Sequence, residues 1–315
     1  MSAPVKVFPA WIRRAWPSGA AFAEVKALLS GLELHTVCQS AHCPNHSECW
    51  GRRTATLMVL GNVCSRHCTY CAVHSGKPEA LDQAEPDKVA EAVARLGLKH
   101  TVITSVTRDD LPDGGADHIG RCIEAIKERC PETTIEVLVQ DFNGDRAAIA
   151  RVLAAGAEVF SHNIETVERL HPRMRDRRFS YRGSLQVLKT ARELAPERIL
   201  KSALMLGCGE TEADIVACLK DLLEHDCDAV SLGQYLQPTP KHHEVVSFLP
   251  PEEFQRYERI AYDLGFNFAV AGPFVRSSYR SEELLDAPFA RARLSAAPSV
   301  ARASSPAPQE SAHEN

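Results

Sequence analysis

Three cysteines lie close together in the chain at a spacing that suits an iron–sulfur cluster. Cys64, Cys68 and Cys71 are arranged Cys-x3-Cys-x2-Cys. Three thiolates this close can hold one face of a 4Fe–4S cubane and leave its fourth iron open to a ligand from outside the protein. A structural zinc ion with His67 or His74 as fourth ligand is the alternative, although structural zinc more often binds two separated pairs of cysteines.

A second group of three cysteines lies upstream. Cys38, Cys43 and Cys49 are arranged Cys-x4-Cys-x5-Cys and could hold a second cubane. A zinc ion bound together with His42 or His46 is again the alternative. Two neighbouring triads are explained more simply by two clusters than by two independent zinc sites.

The remaining cysteines of this 315-residue chain carry no such pattern. Five of the 11 cysteines are scattered and are predicted to be ordinary buried thiols: Cys122, Cys130, Cys208, Cys218 and Cys227. Eleven cysteines in so long a chain do not indicate a disulfide scaffold, and clustered cysteines in a reducing compartment more often bind metal.

Charge and hydropathy exclude two classes of partner. The chain has 36 Lys and Arg against 41 Asp and Glu, a formal net charge of −5, which gives no basic surface for general nucleic-acid binding. No apolar run approaches the roughly 20 residues of a membrane span, and the N-terminus lacks a signal-peptide core. We expect a soluble, cytoplasmic protein with no membrane partner.

Alternating strand and helix patterns must position these cysteines. From Thr54 onward, short apolar runs alternate with amphipathic stretches. The runs that predict strands are Thr56–Leu60, Thr101–Ser105, Thr134–Val139, Glu158–Ser161, Ile199–Met205, Asp228–Leu232 and Asn267–Val270. Repeated strand–helix units predict an α/β fold with a parallel sheet, either a partial β/α barrel or a doubly wound open sheet.

Polar residues at the strand ends favour the barrel, because barrel chemistry gathers where the strands end. Cys64 follows the first strand, residues 108–110 follow the second, and Asn163 and Glu165 follow the fourth. We therefore divide the chain into an N-terminal cluster-binding extension (1–53), a barrel (54–285) and a tail (286–315). The tail is predicted to be disordered, because 15 of the last 25 residues are Ala, Ser or Pro.

The second triad resembles the signature of the radical S-adenosylmethionine (SAM) superfamily, in which an aromatic residue, here Tyr70, precedes the last cysteine. Residues 204–210, with Gly207 and Glu210, resemble the superfamily's GxIxGxxE stretch near the adenine, although Ala203 stands where that stretch begins with Gly. The resemblance implies a partial (βα)6-type TIM barrel. It also implies that SAM binds the open iron and is split into methionine and a 5′-deoxyadenosyl radical.

Both triads together resemble the lipoyl synthase family over about residues 20–282. The matching stretches are residues 36–45, 48–50, 102–111, 162–167, 233–238 and 275–280. The resemblance implies that Cys38, Cys43 and Cys49 hold an auxiliary 4Fe–4S cluster with a serine of the Arg-Ser-Ser-Tyr stretch. We choose Ser278 as that ligand and keep Ser277 in reserve.

This family resemblance implies a reaction, its cofactors and its partners. Two sulfur atoms enter at C6 and C8 of an octanoyl-lysine on a lipoyl-carrier domain, and the auxiliary cluster is dismantled as the sulfur donor. The cofactors are two 4Fe–4S clusters and SAM, with one SAM cleaved for each sulfur. The implied partners are E2 subunits of 2-oxoacid dehydrogenases, the glycine cleavage H protein, a ferredoxin or flavodoxin reductant and an iron–sulfur cluster carrier.

Further residues are assigned roles on the same resemblance. Asn163, Glu165 and Lys201 are predicted to bind the ribose and carboxylate of SAM. Arg276 and Arg108 are predicted to orient the auxiliary cluster or the substrate, with a structural ion pair as the alternative for each.

Six arginines between Arg169 and Arg182 form either a solvated charged face or a docking site for an acidic carrier domain, with Arg173, Arg175 and Arg177 as the residues to test. Two other functions stay open: a radical SAM enzyme whose second cluster serves electron transfer, and a zinc-binding module without catalysis.

Overall fold

The computed structural model describes residues 8–12 and 19–296. The strands are β1 (His35–Thr36), β2 (Thr56–Val59), β3 (Val63–Cys64), β4 (His74–Ser75), β5 (His100–Ser105), β6 (Thr134–Leu138), β7 (Val159–Ser161), β8 (Ile199–Leu206), β9 (Ala229–Gln234) and β10 (Phe268–Gly272). The helices are α1 (Ala20–Gly31), α2 (Val37–Ser40), α3 (His46–Gly51), α4 (Glu85–Leu96), α5 (Ala116–Arg129), α6 (Arg146–Ala154), α7 (His171–Met174), α8 (Tyr181–Leu194), α9 (Glu212–Glu224), α10 (Pro251–Leu264), α11 (Glu282–Asp286) and α12 (Pro288–Ala296).

Eight of these strands form one sheet in the order β1-β2-β5-β6-β7-β8-β9-β10. β1 pairs antiparallel with β2, and every other neighbouring pair in this sheet is parallel. All seven predicted strands are therefore confirmed. Because the parallel strands follow one another in chain order without a reversal, the sheet is of the partial-barrel kind and not doubly wound.

The helices between the strands have sequence signals at their ends. Pro86 lies in the first turn of α4, and Gly97 ends that helix in the left-handed conformation with φ of 64°. Thr211 and Asp214 form a reciprocal capping box at the start of α9. These signals fix where each crossover begins and ends, and so where the strand-end loops emerge.

Helices α11 and α12 close the N-terminal end of the barrel. Leu284 and Ala290 are fully buried against Val159, Ile199 and Ala229, which begin β7, β8 and β9. The tail predicted to be disordered from residue 286 is therefore helical over Pro288–Ala296, because its few apolar side chains pack against the starts of these strands. Residues 297–315 lie outside the described residues. Among the described helices, none is long and apolar enough to cross a membrane.

This closure makes a stability prediction. Leu284→Ala should lower the free energy of unfolding by about 2–5 kcal/mol, because it opens a cavity where the barrel cannot collapse. Leu285→Ala, at a partly exposed neighbour, is the matched control and should cost less. Chemical denaturation of both variants measures the difference. Equal losses would contradict the packing described for α11.

Candidate active site

A cavity of about 500 Å³ lies where the barrel strands end. Ten residues singled out from the sequence line it: Cys43, Cys64, Cys68, Tyr70, Cys71, Asn163, Glu165, Arg276, Ser277 and Ser278. The fold therefore brings one cysteine of the first triad, all three of the second and both candidate serines to one space. This is the position at which barrel enzymes carry their chemistry.

The second triad lies on the turn that connects β3 with β4. Backbone N–H groups of Arg66 and Thr107 each donate to Cys64 Sγ at 3.4 Å, and that of Asp176 donates to Cys68 Sγ at 3.3 Å. The pKa of the Cys71 thiol is raised to about 12, mainly by burial and in part by the neighbouring Cys68 and Cys64 thiolates. Grouped sulfurs that receive N–H donors fit the thiolate ligands of an iron–sulfur cluster.

The first triad is held by two short helices. Cys38 lies in α2, Cys49 lies in α3, and Cys43 lies between them. Burial raises the pKa of Cys38 to about 11 and that of Cys49 to about 12, and repulsion by the Cys43 thiolate adds to both shifts. The three sulfurs are thus close enough to repel one another when ionised, which suits the binding of one cationic iron cluster.

The two candidate serines face different partners. Ser278 Oγ accepts a hydrogen bond of 2.8 Å from Thr56 Oγ1, and it shares with Cys49 a second, smaller cavity. Ser277 Oγ instead donates to Asn163 Oδ1 at 3.0 Å. The Ser278 hydroxyl is therefore placed towards the first triad, and the Ser277 hydroxyl towards the SAM-binding residues predicted from the sequence.

Asn163, Glu165 and Tyr70 form a connected polar wall of the cavity. Asn163 Nδ2 donates to Glu165 Oε1 at 3.1 Å. Burial raises the pKa of Glu165, although Arg175 and hydrogen bonds from Asn163 and Tyr70 oppose that shift. Glu165 also adopts a positive φ of 67°, a strained conformation that is found most often at functional sites.

Comparison with known proteins identifies the family. Residues 58–222 match the radical SAM superfamily, and residues 3–43 match the N-terminal domain of lipoyl synthase of that superfamily. Lipoyl synthase of Thermus thermophilus is 51% identical over 277 residues, which are 88% of this chain and 86% of the relative. Mitochondrial lipoyl synthase of Schizosaccharomyces pombe is 46% identical over 284 residues, 88% of this chain and 77% of the relative. The chain belongs to the lipoyl synthase family.

Solved structures agree on the fold. Methylornithine synthase (PylB) superposes with a TM-score of 0.51 at 14% identity, covering 83% of this chain and 87% of that one. Streptococcus suis SuiB bound to S-adenosylmethionine superposes with a TM-score of 0.54 at 10% identity, covering 72% of this chain and 54% of that one. At these identities the likeness concerns the radical SAM fold alone.

Membership of the lipoyl synthase family confirms the predicted enzyme class. The chain is a radical SAM sulfurtransferase that uses 4Fe–4S clusters and SAM and acts on octanoylated lipoyl-carrier proteins. This membership excludes the zinc-binding module without catalysis that the sequence left open.

Lys201 is buried inside the barrel. It is not among the described residues that line the cavity. Its Nζ forms an ion pair of 2.9 Å with Glu136 Oε2 and donates to the carbonyl of Ser277 at 2.6 Å. Lys201 therefore points into the barrel and contacts the backbone of a residue that lines the cavity, and its contact with SAM stays a prediction.

Three further residues with predicted roles make contacts within the protein. Glu210 accepts hydrogen bonds from the backbone N–H groups of Gly207 (2.5 Å) and Cys208 (2.9 Å), and so closes a turn after β8. Arg108 forms an ion pair with Asp110 at 2.8 Å and donates to two backbone carbonyls. Gly207, Glu210 and Arg108 are not among the described residues that line the cavity, and their roles towards SAM, the cluster or the substrate stay predictions.

Arg175 is a cavity residue that sequence reasoning misplaced among the docking arginines. It is buried, its guanidinium lies 3.7 Å from the centroid of the Phe179 ring, and it donates to the Asn163 carbonyl at 3.0 Å. Its Nε has no hydrogen-bond partner among the described residues. A run of six arginines gives no signal that one of them is buried, so sequence alone could not single it out.

His162 is a second cavity residue that the sequence did not single out. Its Nδ1 bonds the Val139 carbonyl at 2.9 Å, and burial together with Arg175 lowers its pKa to about 4. The imidazole is therefore neutral at pH 7. Nδ1 carries the proton, and Nε2, which is buried and has no hydrogen-bond partner among the described residues, is an acceptor.

Arg175 makes a testable prediction. A buried cation at this wall can receive the carboxylate of SAM, so Arg175→Met should weaken SAM binding about 10-fold or more, as loss of a charged hydrogen bond does. Arg177→Met, at an exposed neighbour, is the matched control and should bind SAM normally. Equilibrium binding of SAM to the cluster-loaded variants tests this. Equal affinity in both variants would contradict the assignment.

Proposed function

We propose that the two triads divide the lipoyl synthase reaction between them. Cys64, Cys68 and Cys71 hold the cluster that binds SAM, while Cys38, Cys43 and Cys49 hold the auxiliary cluster with a serine as fourth ligand. The two serine hydroxyls have different partners, and this supports Ser278 as the fourth ligand, since its partner is Thr56 beside the first triad. When bound, these groups supply the radical and the sulfur atoms.

The chain's own residues have the task of positioning. Asn163, Glu165 and Tyr70 form the polar wall for the SAM group, and Arg175 receives its carboxylate. The neutral His162 offers an acceptor to a hydroxyl or amine of the ligand. These groups act by orientation and by fixed charge, because a radical reaction at an unactivated carbon gives no proton for an acid or base to move.

The space between the triads fits an octanoyl chain. Its wall contains apolar side chains from several strand ends and loops: Val37, Met58, Val106, Leu138, Val139 and Met205. An apolar wall binds an acyl chain and excludes water, which would otherwise compete for reactive intermediates. Arg276 lies in the same wall, directly before the two candidate serines.

The finer assignments follow from this reaction. We propose E2 subunits and the H protein as carriers, a ferredoxin or flavodoxin as reductant, and a cluster carrier that rebuilds the auxiliary cluster. A reducing compartment, the cytoplasm, suits 11 cysteines that are all free thiols in the structure. We also propose the division into an extension (1–53), a barrel (54–285) and a tail, in which α12 belongs to the folded part and not to the tail.

Removing each triad separately tests the division of labour. Replacing Cys38, Cys43 and Cys49 by Ala should leave about four iron and four sulfide per chain instead of about eight. This variant should still cleave SAM, and mass spectrometry should find no sulfur in an octanoyl-lysine peptide. Replacing Cys64, Cys68 and Cys71 by Ala should also leave about four iron and four sulfide per chain, and it should abolish SAM cleavage.

The two variants serve as controls for each other. Sulfur insertion by the variant that lacks the first triad would contradict the donor role of the auxiliary cluster. SAM cleavage by the variant that lacks the second triad would contradict the assignment of SAM to that triad.

Two of the three arginines predicted to dock a carrier domain are available for that role. Arg173 and Arg177 are exposed, whereas Arg175 is buried and so does not contribute. The segment lies beside the SAM-cluster turn, because Thr69 Oγ1 donates to the Arg173 carbonyl at 3.0 Å. An acidic carrier domain docked on these two arginines would deliver its octanoyl-lysine next to the cavity.

Charge reversal tests this surface. Arg173→Glu/Arg177→Glu should lower kcat/KM for an octanoylated carrier protein about 10-fold at low salt, with less effect at high salt. It should leave kcat/KM for a short octanoyl-lysine peptide and SAM cleavage unchanged. Arg95→Glu/Arg259→Glu makes the same change of net charge at exposed arginines elsewhere. Equal loss in both double variants would show that only net charge matters.

A further inference from the structure

A buried ion pair inside the barrel reaches the segment that carries Ser278. Lys201 lies in β8 and Glu136 in β6, and their side chains are 3% and 0% exposed. Lys201 Nζ lies 2.9 and 3.1 Å from the two oxygens of Glu136, and Glu136 Oε1 also accepts from Ser161 Oγ at 2.7 Å. The third contact of Lys201 is the backbone carbonyl of Ser277, at 2.6 Å.

Each member of this pair is costly to bury, so the pair requires an explanation. Two charges lose their hydration on burial, and a well-packed apolar pair is often at least as stable. Glu136 neutralises Lys201 and so allows an ammonium group to stay buried. The contact that an apolar pair could not make is the charged hydrogen bond from Lys201 to the Ser277 carbonyl.

That carbonyl belongs to the peptide bond between Ser277 and Ser278. Fixing its oxygen fixes the plane of the peptide group and hence the start of the next residue. The Ser278 hydroxyl is then held towards the first triad by Thr56 Oγ1 at 2.8 Å. Lys201 therefore acts on the backbone, and Thr56 acts on the side chain of the same residue.

We propose that Lys201, held by Glu136, is a positioning residue that keeps Ser278 on the auxiliary cluster. The proposal rests on the proposed function, in which Ser278 is the fourth ligand. A serine oxygen is a hard ligand at a site otherwise made of soft thiolates, so its iron depends strongly on how well the oxygen is held. Outer contacts that orient metal ligands typically change metal affinity about 10–100-fold when they are removed.

The positioning of Ser278 by Lys201 affects when the auxiliary cluster loses its first iron. A serine fixed by a buried ion pair keeps the cluster intact between turnovers, although the ligand itself is weak. Lys201 also lies on the side of the segment where Ser277 Oγ donates to Asn163 Oδ1, at 3.0 Å. The same anchored peptide therefore joins the auxiliary ligand to the wall of the SAM site.

The experiment compares iron release from the cluster-loaded enzyme. Lys201→Met/Glu136→Gln removes both charges together, and the amide that replaces the Glu136 carboxylate can still accept from Ser161. Every enzyme compared is made in the background that lacks Cys64, Cys68 and Cys71, because the open iron of the SAM-binding cluster would give the same three-iron signal. After anaerobic loading and mild oxidation, the variants are exposed to EDTA. Iron release and the electron paramagnetic resonance signal of a three-iron cluster are followed over time. We expect the signal to form about 10-fold faster than in the same enzyme with Lys201 and Glu136 intact.

Two further variants make the result decisive. Arg192→Met/Asp228→Asn removes the ion pairs of Asp228 with Arg192 (2.6 Å) and Arg293 (2.9 Å), and Asp228 directly precedes β9 at the opposite end of the barrel. It controls for general loss of stability and should release iron at the normal rate. Ser278→Ala is the reference for complete loss of the serine ligand and should give the three-iron signal fastest.

The outcomes separate the two levels of the argument. Rapid formation of the three-iron cluster in Ser278→Ala but a normal rate in Lys201→Met/Glu136→Gln would overturn the role of Lys201 alone. A normal rate in Ser278→Ala would overturn Ser278 as the ligand, and the proposed function with it. If the Arg192→Met/Asp228→Asn control releases iron equally fast, the faster release is explained by general loss of stability, and the proposal is overturned.

Discussion

The segment after β10 must cross the opening of the barrel and reach the N-terminal cysteines, and the arrangement of both cluster sites depends on this crossing. The extension holds the segment from one side, where Asn45 Nδ2 donates to the Phe274 carbonyl at 2.6 Å and Tyr279 Oη donates to Glu48 Oε1 at 2.8 Å. The barrel holds it from the other, because Gly233 has no side chain and lets the Val275 carbonyl approach β9. A ligand loop held from two sides can supply a serine without being a rigid element itself.

Buried charged side chains around the cavity are stabilised by ion pairs and by contact with an aromatic ring. Arg66 is fully buried, yet it forms ion pairs with Asp109 (2.7 Å) and Asp141 (2.9 Å) and lies 4.0 Å from the Phe179 ring centroid. Although burial alone would raise the pKa of Asp109, its bonds to Arg66 and Ser65 lower it to about 2. Arg175 lies on the same ring without a carboxylate hydrogen-bonded to it among the described residues. The difference marks Arg175 as the cation that has capacity for an anionic ligand.

Sequence patterns predicted the strands and the positions of strand ends, because parallel strands have a simple apolar signature and end at one edge of the sheet. They could not predict which way a side chain points near that edge. Asn163 follows the end of β7 and points into the cavity, whereas Lys201 lies early in β8 and points into the barrel. The burial of Arg108 and Arg175 has the related reason that an arginine can be buried by partners that its local sequence does not reveal. The family resemblance located the motifs, but the contacts had to come from the fold.

The distribution of the 11 cysteines follows from chelation and not from the acidity of individual thiols. Burial raises the pKa of isolated thiols such as Cys122, Cys208 and Cys218, just as it raises the pKa of Cys38 and Cys49. A protonated thiol is a poor ligand, so burial alone would keep iron from every one of them.

Only the six triad cysteines have neighbouring thiols on short, turn-forming segments, so one cluster can displace three protons and gain three bonds at once. Cys122 has Glu85 and His118 as neighbours instead, but the hydrogen bond of 2.8 Å between His118 Nε2 and Glu85 already engages those two groups. Iron is therefore directed to the two ends of one cavity. In the proposed function, the second triad leaves an iron open for SAM there, and the first takes its fourth ligand from Ser278.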